Sequence, residues 1–183
     1  MINEHTNKIE RARLLATFIH LGEIRRNGED YIVHPERMVG LVQNSYQEEF
    51  NKRRKIDPTF CATEEWISDN GDVTCATWLH DVLETCKPRQ RASVFAFIRD
   101  FFPFKVEGLV LCLTHDEKLQ TYNEYIERVS RYPDAFKIKC ADMFDNLTDN
   151  PTEKQTLKYK NACLYLISKG VEIPQVLKEI LEL

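Results

Sequence analysis

Between Val73 and Glu84 the chain reads VTCATWLHDVLE. Nearly every residue of this helical stretch is apolar, yet His80 and Asp81 interrupt it. A helix that is apolar on all sides is a core helix, and burying an imidazole and a carboxylate there costs free energy unless something compensates. A divalent metal ion compensates both at once, because neutral imidazole and carboxylate are its natural ligands. Two further positions offer matching donors: His34 in YIVHP and Asp142 in KIKCADMFDNL.

The chain has 183 residues, enough for one domain with a substantial core. Its net charge of −4 gives no electrostatic case for a nucleic-acid partner. The segment MINEHTNKIERAR is polar and lacks a secretory apolar core. No apolar run approaches the roughly 20 residues that span a bilayer, so no membrane partner is expected. Six cysteines (61, 75, 86, 112, 140 and 163) are scattered, and none forms a C-x-x-C pair. Most lie in apolar helical stretches and read as reduced, buried thiols rather than zinc ligands. The expectation is a soluble cytoplasmic protein.

Helical periodicity dominates and no strand alternation stands out. Ile9, Ala12, Leu15, Ala16 and Ile19 form a first stripe. Gly22 and Asn27-Gly28 break it into a loop that ends at His34, with Pro35 suited to open the next helix. Asp72 is a candidate N-cap for the His80 helix. Pro88, Pro103, Pro133 and Pro151 introduce later helices, and Gly170 suits a C′ position. The pattern predicts about nine helices in one compact all-α domain over residues 1–183, without repeats.

Ala135, Ile138, Asp142 and Asn146 share one helical face, which places a carboxylate and an amide on a side that should be buried. These groups either face a polar cavity or hydrogen-bond a neighbouring loop. Glu84 lies one turn after His80 and either shares that cavity or is solvated near a helix end. His20 reads as a pocket residue or a satisfied core histidine, and His115 as loop surface or an approach to the site. The run Lys52–Lys55 reads as a solvated helix face. Tyr122 and Tyr125 read mainly as core, while Tyr122 or Tyr31 could stack on a base.

The residues His20, Gly22, Arg25, Gly28, Tyr31, Ile32, His34 and Pro35 resemble the opening of the RelA/SpoT-type HD hydrolase domain, H-x-G-Q-x-R-K-x-G-x-x-Y-I-x-H-P. WLHDVLET resembles that family's L-L-H-D-V-x-E-D block. KIKCADMFDNL resembles its K-x-A-D-x-x-x-N-L block through Lys139, Ala141, Asp142, Asn146 and Leu147. The three blocks fall in family order from Ile9 to about Asn150, and the length matches small stand-alone members without a synthetase half.

The resemblance implies an HD-domain helical fold with one divalent metal ion, usually Mn²⁺, held by His34, His80, Asp81 and Asp142. It implies that Glu84 orients or deprotonates water and that Asn146 contacts substrate or the water network. It implies that Arg25 and Arg26 grip a pyrophosphate, where Lys139 either helps or snorkels from its helix; Tyr31 is a further candidate substrate contact. The chain departs from the pattern at Glu23, in place of glutamine, at Thr85, in place of the second catalytic acid, and at Thr148, where arginine is frequent. A longer connection around residues 47–68 lies between His34 and His80.

The reading that follows is a metal-dependent phosphohydrolase on a phosphorylated nucleotide, a (p)ppGpp-like 3′-pyrophosphate first. The alternatives are an HD-type 5′-nucleotidase acting on nucleoside monophosphates, or a catalytically reduced nucleotide-binding module. The oligomeric state is open, a homo-oligomer included.

Overall fold

A computed structural model describes residues 4–183; Met1–Asn3, part of the expected domain, lie outside the described residues. Among the described residues ten helices follow one another: α1 (Glu4–Ile19), α2 (Val33–Ile56), α3 (Glu64–Trp78), α4 (Val82–Thr85), α5 (Arg91–Phe101), α6 (Phe104–Leu113), α7 (Tyr122–Ser130), α8 (Pro133–Thr148), α9 (Glu153–Ser168) and α10 (Gln175–Leu181). The only β pairing among the described residues is an isolated bridge between Ile24 and Asp30. The expected all-α class holds. The tenth helix arises because the stretch expected to run through His80 is broken there into α3 and α4.

Local chemistry explains most boundaries. Thr63 caps α3 by accepting a hydrogen bond from the Trp66 amide at 3.1 Å. That corrects the expectation that Asp72 caps this helix: Asp72 is buried within α3 and paired with Lys8 at 2.5 Å. Thr121 and Glu124 form a reciprocal capping box at the start of α7. Pro133 occupies the first turn of α8, where its missing N–H costs nothing. Gly170 ends α9 at φ 80°, a left-handed conformation that glycine adopts without a Cβ penalty. The helix containing His34 starts at Val33, so His34 lies in its first turn rather than at a loop end.

The connection expected around residues 47–68 is mostly helix. α2 continues to Ile56, leaving only a short link before α3. An aromatic cluster fixes this extension: Phe50 lies 5.6 Å from Phe60 and 5.8 Å from Trp66, and Trp66 meets Tyr46 at 6.2 Å. The basic run is a solvated face here, with Arg53 paired to Glu49 at 2.6 Å and stacked over Phe60.

α3 and α8 carry the interior. From Gly71 to His80 every residue is buried, and α3 packs against α1, α2, α6 and α8. α8 serves two hydrophobic clusters. Ala135, Ile138 and Ala141 join the cluster built with α1, α2, α3, α5 and α6; Cys140, Met143 and Leu147 join the one built with α9 and α10. The polar residues of α8 must therefore be satisfied inside the protein. Because Ile138 is fully buried at this junction, Ile138→Ala is expected to destabilise the fold by about 2–5 kcal/mol, read as a lower midpoint in urea unfolding without a change in slope.

Candidate metal centre

The break between α3 and α4 orients the first donor. Helix geometry stops at Trp78, and Asp81 takes φ −122° and ψ 3°. The His80 Nδ1–H donates to the Thr77 carbonyl at 3.0 Å, a group that the interrupted helix leaves free. This fixes the tautomer, and Nε2 keeps its lone pair. His34 reaches the same point from α2. Its Nδ1–H donates to Asp145 Oδ2 at 2.7 Å, and its Nε2 lies 3.2 Å from Asp142 Oδ1. Asp142 comes from α8: Oδ2 accepts from Lys139 Nζ at 2.6 Å, and Oδ1 accepts from Asn146 Nδ2 at 2.6 Å.

His34, His80 and Asp142 are buried, and one ligand atom of each lies within 4.8 Å of the others. This donor set fits a divalent cation: two imidazole nitrogens and a carboxylate oxygen converge, and each imidazole is anchored through its other nitrogen. Asp81 stands beside the cluster, with Oδ2 3.7 Å from His80 Nε2. Its carboxylate also receives the Tyr31 hydroxyl and, at 3.1 Å, His20 Nε2.

Electrostatics follow from this crowding. Burial alone would raise the Asp142 carboxyl, but Lys139 and the two histidines outweigh it and hold it well below the usual carboxylate range. Asp81 is likewise depressed: His80, His20 and Tyr31 overcome the cost of burial. Burial would lower His34, yet Asp142 and Asp145 raise it to about 9. His20 is pressed between Asp81 and Glu23, whose Oε2 lies 2.9 Å from Nδ1. The two carboxylates outweigh its burial and raise its pKa. Glu23, where the resembled family carries glutamine, supplies half of that cage.

A cavity of about 180 Å³ opens onto the cluster, lined by Tyr31, His80, Asp81, Glu84, Leu113, Tyr125, Ile138, Lys139, Asp142, Asn146, Lys158 and Tyr159. Seven expected site residues meet on its wall. The Glu84 carboxylate accepts from the His115 backbone N–H at 2.6 Å, and desolvation at the wall raises its pKa against that bond. The His115 ring stacks on Tyr125 at 4.7 Å, so His115 belongs to the site's frame rather than to free loop surface.

Arg25 and Arg26 are not on that wall. Arg25, only 7% exposed in its side chain, pairs with Asp149 and lies 3.2 Å from Asp145. Arg26 is exposed and donates to Gln155. The expectation that both arginines present free forks to a phosphate is corrected: two carboxylates at the end of α8 already occupy Arg25. Sequence reasoning also passed over Asp145, Lys158 and Tyr159. Asp145 carried a signal, lying three residues after Asp142 and so near the same helix face.

No family model and no curated protein matches the chain. Among solved structures, one described as a metazoan orthologue of SpoT that hydrolyses ppGpp superposes with a TM-score of 0.64 at 22% identity, covering 96% of this chain and 92% of its own. The likeness shows a shared fold over nearly the whole length.

Arg25 shares Asp145 and Asp149 with Arg37, which would remain, so Arg25→Ala is expected to cost about 1.5–3 kcal/mol of stability, the worth of a charged hydrogen bond rather than of an orphaned charge. Thermal unfolding checks it; an unchanged melting temperature would return Arg25 to the free phosphate-binding cations.

Proposed function

We propose that this protein is a metal-dependent phosphohydrolase of phosphorylated nucleotides, with a 3′-pyrophosphate of the (p)ppGpp kind as the leading substrate. The observation that carries the reading is the buried convergence of His34, His80 and Asp142 beside a cavity that holds both a carboxylate and lysines. The shared fold with a protein described as hydrolysing ppGpp supports it.

In this reading His34, His80 and Asp142 hold one divalent ion, Mn²⁺ by preference, with Asp81 as fourth ligand. When bound, the ion supplies Lewis acidity toward the phosphoryl oxygen and the attacking water. Glu84 accepts the proton of that water. Its raised carboxyl makes it a stronger base than an unperturbed glutamate, and the His115 N–H holds one of its oxygens at the cavity wall. Asn146 and Lys139 orient the Asp142 carboxylate, and Asn146 lines the cavity in which the attacking water would sit. Tyr31 spends its hydroxyl on Asp81, so its role is positioning.

Thr85 favours a second reading, a nucleotide-binding module that keeps the metal centre but has lost turnover. A threonine cannot hold the proton that the resembled family assigns to its second acid. Turnover of a nucleotide panel with Mn²⁺, against an EDTA control, separates the two readings.

His80→Ala is expected to abolish Mn²⁺ binding by calorimetry and to remove the metal-dependent rise in melting temperature. Glu84→Gln is expected to keep metal binding and lower turnover roughly 10²–10⁴-fold. Because the base must be unprotonated and its carboxyl is raised, the acid limb of kcat/KM should lie above the ordinary glutamate range. Full activity in Glu84→Gln would remove it from the chemistry.

A further inference from the structure

One cation on the cavity wall has no part in the chemistry above. Lys158 lies on α9, an exposed residue that nevertheless lines the cavity. The Thr152 cap, which accepts from the Gln155 amide at 3.2 Å, starts the helix so that Lys158 and Tyr159 both reach that wall. The Lys158 ammonium lies 4.5 Å from the Tyr122 ring centre and 5.0 Å from the Tyr159 ring centre. Such aromatic faces hold a cation in place without neutralising it.

Lys158 forms no ion pair among the described residues, whereas the other lysine of the cavity, Lys139, is committed to Asp142 at 2.6 Å. Lys139 shares the same aromatic wall, 6.0 Å from Tyr122 and 5.3 Å from Tyr125. Two ammonium groups on one wall repel each other, and only one has a carboxylate. Desolvation and then Lys139 lower the Lys158 pKa, outweighing the more distant pull of Asp142, Glu117 and Glu84, none of which pairs with it. The chemistry that fits this cation, across the cavity from the His34, His80 and Asp142 cluster that would hold a metal, is an anionic group of the same ligand away from the reacting one. Phosphate is the natural choice, since a lysine meets it as a point charge.

We propose that Lys158 binds a second phosphate group of the substrate, one that is not hydrolysed, and so selects nucleotides phosphorylated at two positions over those phosphorylated at one. The proposal rests on the phosphohydrolase reading and names its specificity residue. Lys158 acts on recognition and leaves the attacking water to Glu84.

The test compares kcat/KM with Mn²⁺ for guanosine 3′,5′-bis(diphosphate) and guanosine 3′-diphosphate in wild type, Lys158→Ala and Lys158→Arg. A second arm titrates guanosine 3′,5′-bisphosphate into each protein in EDTA by calorimetry, where turnover is silent. Wild type should prefer the doubly phosphorylated substrate roughly ten- to hundredfold, the worth of one charged contact. Lys158→Ala should lose most of that preference through KM and weaken the EDTA titration by a similar factor, and Lys158→Arg should restore both. Equal use of the two substrates by wild type overturns the proposal while leaving the phosphohydrolase standing. So does a Lys158→Ala protein that keeps the wild-type preference and affinity. If wild type hydrolyses neither compound, the phosphohydrolase reading fails, and an EDTA titration unaffected by Lys158→Ala then overturns the second-phosphate site as well.

Discussion

Two carboxylates one helical turn apart, Asp142 and Asp145, are buried in the helix that both hydrophobic clusters share. Ionised groups at such depth persist only when paired and hydrogen-bonded. The surroundings are arranged to meet that demand. Lys139, Asn146 and the two histidines answer Asp142, while His34 and Arg37 answer Asp145, with Arg37 Nε at 2.6 Å. The first turn of α2, the loop before it and the break after α3 all face α8 for this reason. Site geometry and fold stability are thus one electrostatic problem, and a substitution at either carboxylate disturbs both.

The helices were legible because their signals are local. Proline starts, threonine caps, the glycine after α9 and the shared face of Ala135, Ile138, Asp142 and Asn146 all rest on spacing within a few residues. The His34, His80 and Asp142 convergence was legible for a different reason: polar residues stood where the pattern demanded apolar ones. What was hidden depends on distant partners. A periodic apolar stretch gives no warning that its helix stops at Trp78, since that break is stabilised by His80 bonding back to Thr77. Arginine beside arginine in a loop reads as phosphate-gripping until Asp145 and Asp149, more than a hundred residues away, are seen to hold Arg25. Lys158 sits in a charged helix where a solvated lysine is the ordinary expectation, and only the approach of α9 to α7 turns it toward the cavity.

The departures from the resembled family sort by consequence. Glu23 adds a negative charge that holds His20 as a donor to Asp81, reinforcing the frame. Thr85 removes an acid and leaves Glu84 as the proton acceptor on the cavity wall. The extended α2 adds an aromatic brace far from the donors. One change strengthens the frame, one narrows the chemistry, and one leaves the site alone.

His34 and Asp145 are 111 positions apart, and Arg25 and Asp149 are 124 apart. Contacts that close such long loops form late, because the chain's entropy must be spent before they return anything. A chain that ends after α7 contains most residues of the first hydrophobic cluster but lacks the helix that supplies Asp142. The donors come together only once α8 is docked, so binding competence waits on a helix near the end of the chain.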